Sequence, residues 1–197
     1  MERLKEDLRR SKPGVIGVST ATDPYQPIER CLEVTRGALQ ILKASGFSAS
    51  IQTKSSLVRR DLEIIKGGKF ELGLTINSLD DGFRRLFEPG ASPPEERVAA
   101  LNDASSLGIA TWIFYGPIVP GYNDSPENVS AVVAIARKTH SRLLYDRLNL
   151  KPLLLNRIKR NVSEKVIVSA KNYNFSEVYQ KIEKECAEQG VRCNPAF

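Results

Sequence analysis

The chain has 197 residues, of which 41% are hydrophobic and 26% are charged, proportions typical of a globular domain with a buried core. It contains no apolar run near the roughly 20 residues that span a bilayer, and its charged first ten residues do not resemble a secretory signal. The formal net charge of +6 at pH 7 fits an anionic partner such as nucleic acid, but its Lys and Arg residues are dispersed, which is more typical of a solvated surface. We therefore expect one cytoplasmic domain over residues 1–197.

Apolar runs alternate with segments of helical periodicity along the chain. The apolar runs predict six strands, at Val15–Ser19, Ala49–Thr53, Glu71–Asn77, Ala110–Tyr115, Arg142–Asp146 and Val166–Ser169. The segments between them predict helices at Ile28–Ala44, Leu57–Lys66, Asp81–Phe87, Glu95–Leu107, Pro126–Lys138, Leu153–Arg160 and Phe175–Gln189. Such alternation, with strands apolar on both faces, is typical of a parallel sheet, which an open doubly wound fold and a closed barrel share.

Local signals predict where some helices begin and end. Ser92 with Glu95 three residues later predicts a capping box, with Pro93 at the first helical position. Gly46 and the pair at 67–68 predict the ends of two helices.

Metal-binding residues are scarce in this sequence. Its three cysteines, Cys31, Cys186 and Cys193, are too few and too scattered for a disulfide framework or for a zinc or iron–sulfur signature. His140 is the only histidine, which excludes a histidine-pair metal site. We expect Cys31 to open a helix and pack, Cys186 and Cys193 to be incidental thiols, and His140 to be structural.

Polar side chains gather where the predicted strands end. They are Ser19, Thr22 and Asp23 after the first strand, Lys54, Ser55 and Ser56 after the second, Thr75 and Asn77 at the third, and Asp146, Asn149 and Lys151 after the fifth. Ligands of parallel α/β folds lie at this edge, and a lysine among hydroxyl groups can hold a carboxylate, a phosphate or an amino acid end. Loops are polar in any protein, however, so the pattern also fits ordinary strand ends.

Five short segments match a known family in order and spacing. They are Thr20–Glu29 (TATDPYQPIE), Ile51–Ser55 (IQTKS), Leu74–Asn77 (LTIN), Phe87–Pro93 (FEPGASP) and Gly116–Asp124 (GPIVPGYND). Through them, residues 12–151 resemble the radical S-adenosylmethionine superfamily, in its branch related to spore photoproduct lyase and described as DNA repair photolyase-like. The first and fourth segments are specific, and the other three are supporting.

The resemblance implies an α/β fold, namely an incomplete (β/α)6 TIM-like barrel of parallel strands without the first, cluster-bearing strand. Residues 12–151 would form the barrel core, and residues 152–197 an α/β extension. Such a barrel binds S-adenosylmethionine across the carboxyl ends of its strands. The Gly116–Asp124 segment would lie along the adenosine of that cofactor.

The resemblance also implies which residues bind the cofactor. Thr22, Lys54 and Thr75 would hold the amino acid end of S-adenosylmethionine. Asn77 and Ser19 are further candidate cofactor-binding residues. The catalytic residues and the substrate are not implied.

The sequence departs from the family pattern in two ways. Family members hold a 4Fe–4S cluster on a Cys-x3-Cys-x2-Cys loop, and this sequence has no cysteine triplet of that spacing. Spore photoproduct lyases have a cysteine that donates a hydrogen atom where this chain has Thr20. A threonine O–H bond is too strong for that role, so thymine-dimer repair is not expected.

The departures lead to one main expectation and two alternatives. We expect a fragment of a radical S-adenosylmethionine, 4Fe–4S-dependent enzyme that keeps the cofactor pocket, lacks the cluster ligands and is inactive without the missing segment. Its partner would be an amino-terminal half carrying the cysteine loop, or a second copy joined at an open barrel edge. The alternatives are a non-catalytic module that binds S-adenosylmethionine or nucleic acid, and a barrel enzyme that binds an anionic sugar or phosphate at Lys54.

Overall fold

A computed structural model describes residues 1–19, 22–149 and 164–196 of the chain. Within them, six parallel strands form one sheet in which the spatial order is the chain order. The strands are β1 (Val15–Val18), β2 (Ser48–Thr53), β3 (Lys69–Thr75), β4 (Ala110–Ile118), β5 (Arg142–Arg147) and β6 (Cys193–Pro195). Among the described residues β1 and β6 do not pair with each other, so the sheet is open.

Helices precede β1 and connect the successive strands, as parallel pairing requires. They are α1 (Glu2–Arg10), α2 (Glu29–Leu32), α3 (Val34–Ala44), α4 (Leu62–Lys66) after a 3-10 helix at Ser56–Asp61, α5 (Asp81–Phe87), α6 (Pro94–Ser106), α7 (Pro126–Lys138), α8 (Glu164–Asn172) and α9 (Phe175–Gln189). In the described part of the chain, no helix has the length and apolar character needed to cross a membrane.

Burial of the strands explains why the sheet holds together. β3 and β4 are buried along most of their length, as predicted, and Leu72, Leu74 and Ile113 have no exposed surface. Each such side chain stabilises the fold by about 1.5–3 kcal/mol. In β2, however, buried and half-buried residues alternate, so only one of its faces is fully covered.

The sixth strand was predicted in the wrong place. Residues 166–169 lie in α8, where Val166, Ile167 and Ala170 are buried and Val168 is exposed, which is the spacing of one helix face. An apolar run this short fits a strand and a helix equally well. The sixth strand is instead Cys193–Pro195, which has three residues and is too short to show periodicity.

Two predicted helices are divided in the structure. The helix expected over Ile28–Ala44 breaks at Glu33, whose φ of 48° is left-handed, into α2 and α3. The helix expected over Leu57–Lys66 consists of the 3-10 helix followed by α4. The helix expected over Leu153–Arg160 lies outside the described residues.

The predicted capping box before α6 is wrong. The residue at the N-cap is Pro93, which has no side-chain cap, and α6 begins at Pro94. The Ser92 hydroxyl instead accepts a hydrogen bond from the backbone N of Ser56 at 2.9 Å. A tertiary contact has therefore replaced the local one, and it ties the segment before α6 to the end of β2.

Candidate functional site

The carboxyl ends of β1, β2 and β3 surround a cavity of about 270 Å³, which we call the rim cavity. Its lining residues are Ser19, Thr22, Asp23, Gln52, Thr53, Lys54 and Thr75. Four of the five predicted site residues therefore lie together, since Ser19, Thr22, Lys54 and Thr75 share this cavity. They meet because parallel strands in register end at the same edge of the sheet.

Asp23 fastens the loop after β1 to the end of β2. Its Oδ1 accepts hydrogen bonds from the Thr53 hydroxyl at 2.7 Å and from the backbone N of Tyr25 at 2.9 Å. Its Oδ2 accepts one from the backbone N of Lys54 at 2.7 Å. Sequence reasoning placed Asp23 among the polar strand ends without assigning it to the site, although it lies in one of the two specific segments.

Lys54 is the cation of the rim cavity. Its Nζ lies 3.0 Å from Oε1 of Glu88, and its side chain keeps 36% of its surface exposed. The same residue lines two further cavities, one of about 360 Å³ beside Phe87 and Gly90, and one of about 350 Å³ beside Asn77 and Phe114. Lys54 therefore stands where three cavities meet.

Glu88 is buried at the centre of a charged cluster. Its Oε2 lies 2.8 Å from Nη1 of Arg97, and the side chains of the two residues are 2% and 1% exposed. Arg97 Nη1 also donates to the carbonyl of Thr75 at 2.8 Å. Burial raises the pKa of the Glu88 carboxyl, but the charges of Lys54 and Arg97 outweigh it and hold that pKa below its usual range.

Asn77, the fifth predicted site residue, does not line the rim cavity. It lines the neighbouring cavity of about 350 Å³, which we call the apolar cavity because Phe83, Phe87, Phe114 and Val119 also line it. The Asn77 side chain is fully buried, and its Nδ2 donates to Glu88 Oε1 at 2.8 Å. Its Oδ1 has no hydrogen-bond partner within the described part of the chain.

The segment Gly116–Asp124 forms one wall of the apolar cavity through Pro117 and Val119. Asn123 holds this wall in place, since its Oδ1 accepts from the backbone N of Val119 at 2.6 Å and its Nδ2 donates to the carbonyl of Asn77 at 3.3 Å. The segment is therefore fixed against the end of β3.

The described residues do not fit a 4Fe–4S cluster. Across 1–19, 22–149 and 164–196, no three His, Cys, Asp or Glu side chains come close enough to share a metal ion. Cys31, which was expected to pack, is exposed on α2, whereas Cys186 is buried on α9 and Cys193 belongs to β6. Burial raises the pKa of the Cys186 thiol, which disfavours the thiolate that binds iron. Thr20 lies outside the described residues.

No protein-family model matches this chain. It is 32% identical over 148 residues to an uncharacterized protein of Methanocaldococcus jannaschii, a match that covers 74% of this chain and 55% of the relative. The chain thus spans about half the length of this curated relative.

Two solved structures have the same fold. Spore photoproduct lyase with bound AdoMet and dinucleoside spore photoproduct superposes with a TM-score of 0.72 at 12% identity, over 100% of this chain and 65% of that one. SuiB of Streptococcus suis gives a TM-score of 0.68 at 12% identity, over 99% of this chain and 41% of that one. Identities this low establish the fold alone, and the predicted incomplete TIM-like barrel is confirmed.

Proposed function

We propose that the rim cavity and the apolar cavity together bind S-adenosylmethionine, as the cofactor-binding part of a radical S-adenosylmethionine enzyme of the spore photoproduct lyase-like branch. The observation that carries this proposal is that the lining of one cavity contains a cation, Lys54, and a carboxylate, Asp23, together with the hydroxyl groups of Ser19, Thr22, Thr53 and Thr75. A cation and a carboxylate on one wall complement a zwitterion. Lys54 would donate to the carboxylate of the cofactor, and Asp23 would accept from its ammonium group.

The apolar cavity suits the adenosine. Phe87, Phe114 and Val119 offer apolar surface for a base. Oδ1 of Asn77 is a buried acceptor with no partner among the described residues, and it would accept from a ribose hydroxyl. The two cavities share Lys54, and their volumes of about 270 and 350 Å³ together fall within the roughly 300–1,000 Å³ of small-molecule sites.

If the chain is part of such an enzyme, its 4Fe–4S cluster must be held by residues other than the described ones. In the enzymes that the chain resembles, the cluster supplies the electron that cleaves the sulfonium. The described residues offer no ligand set for it, so we propose that another segment contributes the cysteines. We also propose that the chain does not cleave the cofactor without that segment.

Calorimetric titration of the chain with S-adenosylmethionine tests the cofactor proposal. We expect saturable 1:1 binding, because the charges that the cavity needs are already held in place. Inorganic phosphate serves as the control ligand. Binding of phosphate at Lys54, with no heat from S-adenosylmethionine, would contradict the proposal and favour an enzyme acting on an anionic sugar or phosphate.

A non-catalytic binding module is the second candidate, favoured by the lack of cluster ligands among the described residues. The discriminating experiment mixes the chain anaerobically with a segment carrying the Cys-x3-Cys-x2-Cys loop. Iron incorporation and formation of 5′-deoxyadenosine would support the enzyme. Cofactor binding with neither result would support the module.

Nucleic acid is the substrate class that we propose for the enzyme. The net charge of +6 supports it, and the spore photoproduct lyase structure contains a dinucleoside photoproduct. Competition of DNA and RNA oligonucleotides for a fluorescent oligonucleotide would test it, and salt-independent or undetectable binding would count against it.

We also propose that the chain associates through the outer edge of β1. In the described residues β1 pairs on one side only, with β2, and Val15 on it is 72% exposed. Unpaired backbone groups at a sheet edge are a template for another strand, and a lysine there blocks such pairing. Sedimentation velocity should show self-association of the chain that Val15→Lys weakens, and equal association of both would contradict this proposal.

A further inference from the structure

One buried carboxylate contacts a residue on each of the two cavities. Oε1 of Glu88 lies 3.0 Å from Nζ of Lys54, which lines the rim cavity, and 2.8 Å from Nδ2 of Asn77, which lines the apolar cavity. Glu88 follows α5, whereas Lys54 follows β2 and Asn77 follows β3. A single side chain thus joins the ends of two neighbouring strands.

From this geometry we infer that Glu88 is a positioning residue, which holds the Lys54 ammonium at the junction of the cavities and turns the Asn77 amide so that Oδ1 is left to accept from a ligand. The inference rests on the proposed binding of S-adenosylmethionine. Glu88 itself lines the apolar cavity, but the inference assigns its effect to the placement of Lys54 and Asn77 and not to contact with the cofactor.

The contact with Lys54 lowers the cost of binding. A lysine side chain has several rotatable bonds, and a ligand that must order it loses part of its binding free energy to that ordering. Glu88 orders Lys54 in advance and takes one of its three N–H donors, so two remain for a carboxylate.

The contact with Asn77 fixes the direction of an amide. Because Nδ2 is committed to the Glu88 carboxylate, Oδ1 is the atom left without a partner among the described residues. A buried acceptor without a partner is costly, and a ligand hydroxyl would satisfy it.

Arg97 offsets the negative charge of Glu88, so this carboxylate does not cancel the positive charge of Lys54. Two cations and one carboxylate leave the cluster with one positive charge. The side chain of Arg97 is 1% exposed and that of Lys54 is 36% exposed, so the surplus charge faces the cavity at Lys54. That arrangement suits the carboxylate of a ligand.

Glu88→Gln tests the inference, with two ligands measured by calorimetry. S-adenosylmethionine carries the amino acid end, whereas 5′-methylthioadenosine lacks it. The glutamine side chain keeps the shape of glutamate but has a single oxygen atom. That oxygen will accept from the buried Arg97, so the NH2 group of the glutamine will face Lys54 and Asn77. We expect S-adenosylmethionine to bind about tenfold more weakly, and 5′-methylthioadenosine to lose less affinity because it makes no use of Lys54.

Glu95→Gln is the matched control, since it makes the same change at an exposed position on α6. A second arm combines Glu88→Gln with Lys54→Met. If Glu88 acts through Lys54, adding Glu88→Gln to Lys54→Met will have little effect on the ratio of the affinities for the two ligands. Circular dichroism and thermal unfolding establish that each variant is folded.

Three results would overturn the inference. They are unchanged binding of both ligands, an equal loss for both ligands, and tighter binding of S-adenosylmethionine by Glu88→Gln, which would mean that Glu88 competes for Lys54. Failure of the unsubstituted chain to bind S-adenosylmethionine would instead overturn the proposed function. The two failures are therefore distinguishable.

Discussion

Arg97→Met should lower the free energy of unfolding by about 3–5 kcal/mol, the usual result of removing one partner from a buried ion pair. The Glu88 carboxylate is 2% exposed, and Arg97 is both its buried cation and a donor to the Thr75 carbonyl. Without Arg97, Lys54 and Asn77 are the partners of Glu88 that remain. Urea denaturation followed by circular dichroism measures the change.

Arg59→Met is the matched control for this measurement. Arg59 also pairs with a carboxylate, that of Asp103 at 2.6 Å, but the two side chains are 51% and 43% exposed. Exposed pairs of this kind contribute about 0–1 kcal/mol. Similar losses for the two variants would show that the Glu88–Arg97 pair has no special role in stability.

The pH dependence of the stability lost in Arg97→Met gives a further check. Because the folded-state pKa of Glu88 lies below its ordinary value of 4.5, the stability that its charge contributes is fully present above about pH 4.5. That stability is lost as the pH falls through the folded-state pKa. The difference between Arg97→Met and the unsubstituted chain should therefore narrow in acid, and a difference that stays constant or widens would contradict this account.

Lys54→Met should weaken binding of S-adenosylmethionine by about 10- to 100-fold, the loss expected from one or two charge-assisted hydrogen bonds. Lys54 is the cation lining the rim cavity, and methionine keeps the unbranched apolar part of its side chain. Binding of 5′-methylthioadenosine should change much less, because that ligand has no carboxylate. Calorimetry with both ligands measures the two effects.

Lys66→Met controls for the loss of one positive charge, since Lys66 is exposed at the end of α4. It should leave the binding of both ligands unchanged. If Lys54→Met binds S-adenosylmethionine as tightly as the unsubstituted chain, the rim cavity is not the site of the amino acid end. Loss of affinity by Lys66→Met to the same extent would indicate a general electrostatic effect instead.

Some of this architecture follows from the sequence because it depends on local pattern. The apolar runs that predicted β1 to β5 are flanked by turn residues and separated by helical periodicity, and this signal does not need tertiary information. The meeting of Thr22, Lys54 and Thr75 follows equally simply, because each comes at the carboxyl end of a parallel strand. Their role in cofactor binding stays a prediction.

Other features depend on contacts between distant segments, which only the tertiary structure decides. Val166–Ser169 has an apolar pattern that suits either state. In the structure it is helical, and Val166 and Ile167 belong to one buried cluster with Phe83 and Val119. Ser92 was predicted to cap α6, but its hydroxyl accepts a hydrogen bond from the backbone N of Ser56.

The charged cluster of Glu88, Arg97 and Lys54 separates most clearly what the sequence determines from what the tertiary structure decides. The sequence alone determined that a lysine follows β2 and that a glutamate and an arginine lie nine positions apart near α6. Only the folded chain determined that Glu88 and Arg97 are buried together, with Lys54 at their exposed end. The physical reason is that burial is what makes an ion pair strong and an unpaired charge costly, and burial is set by the packing of the whole sheet and its helices.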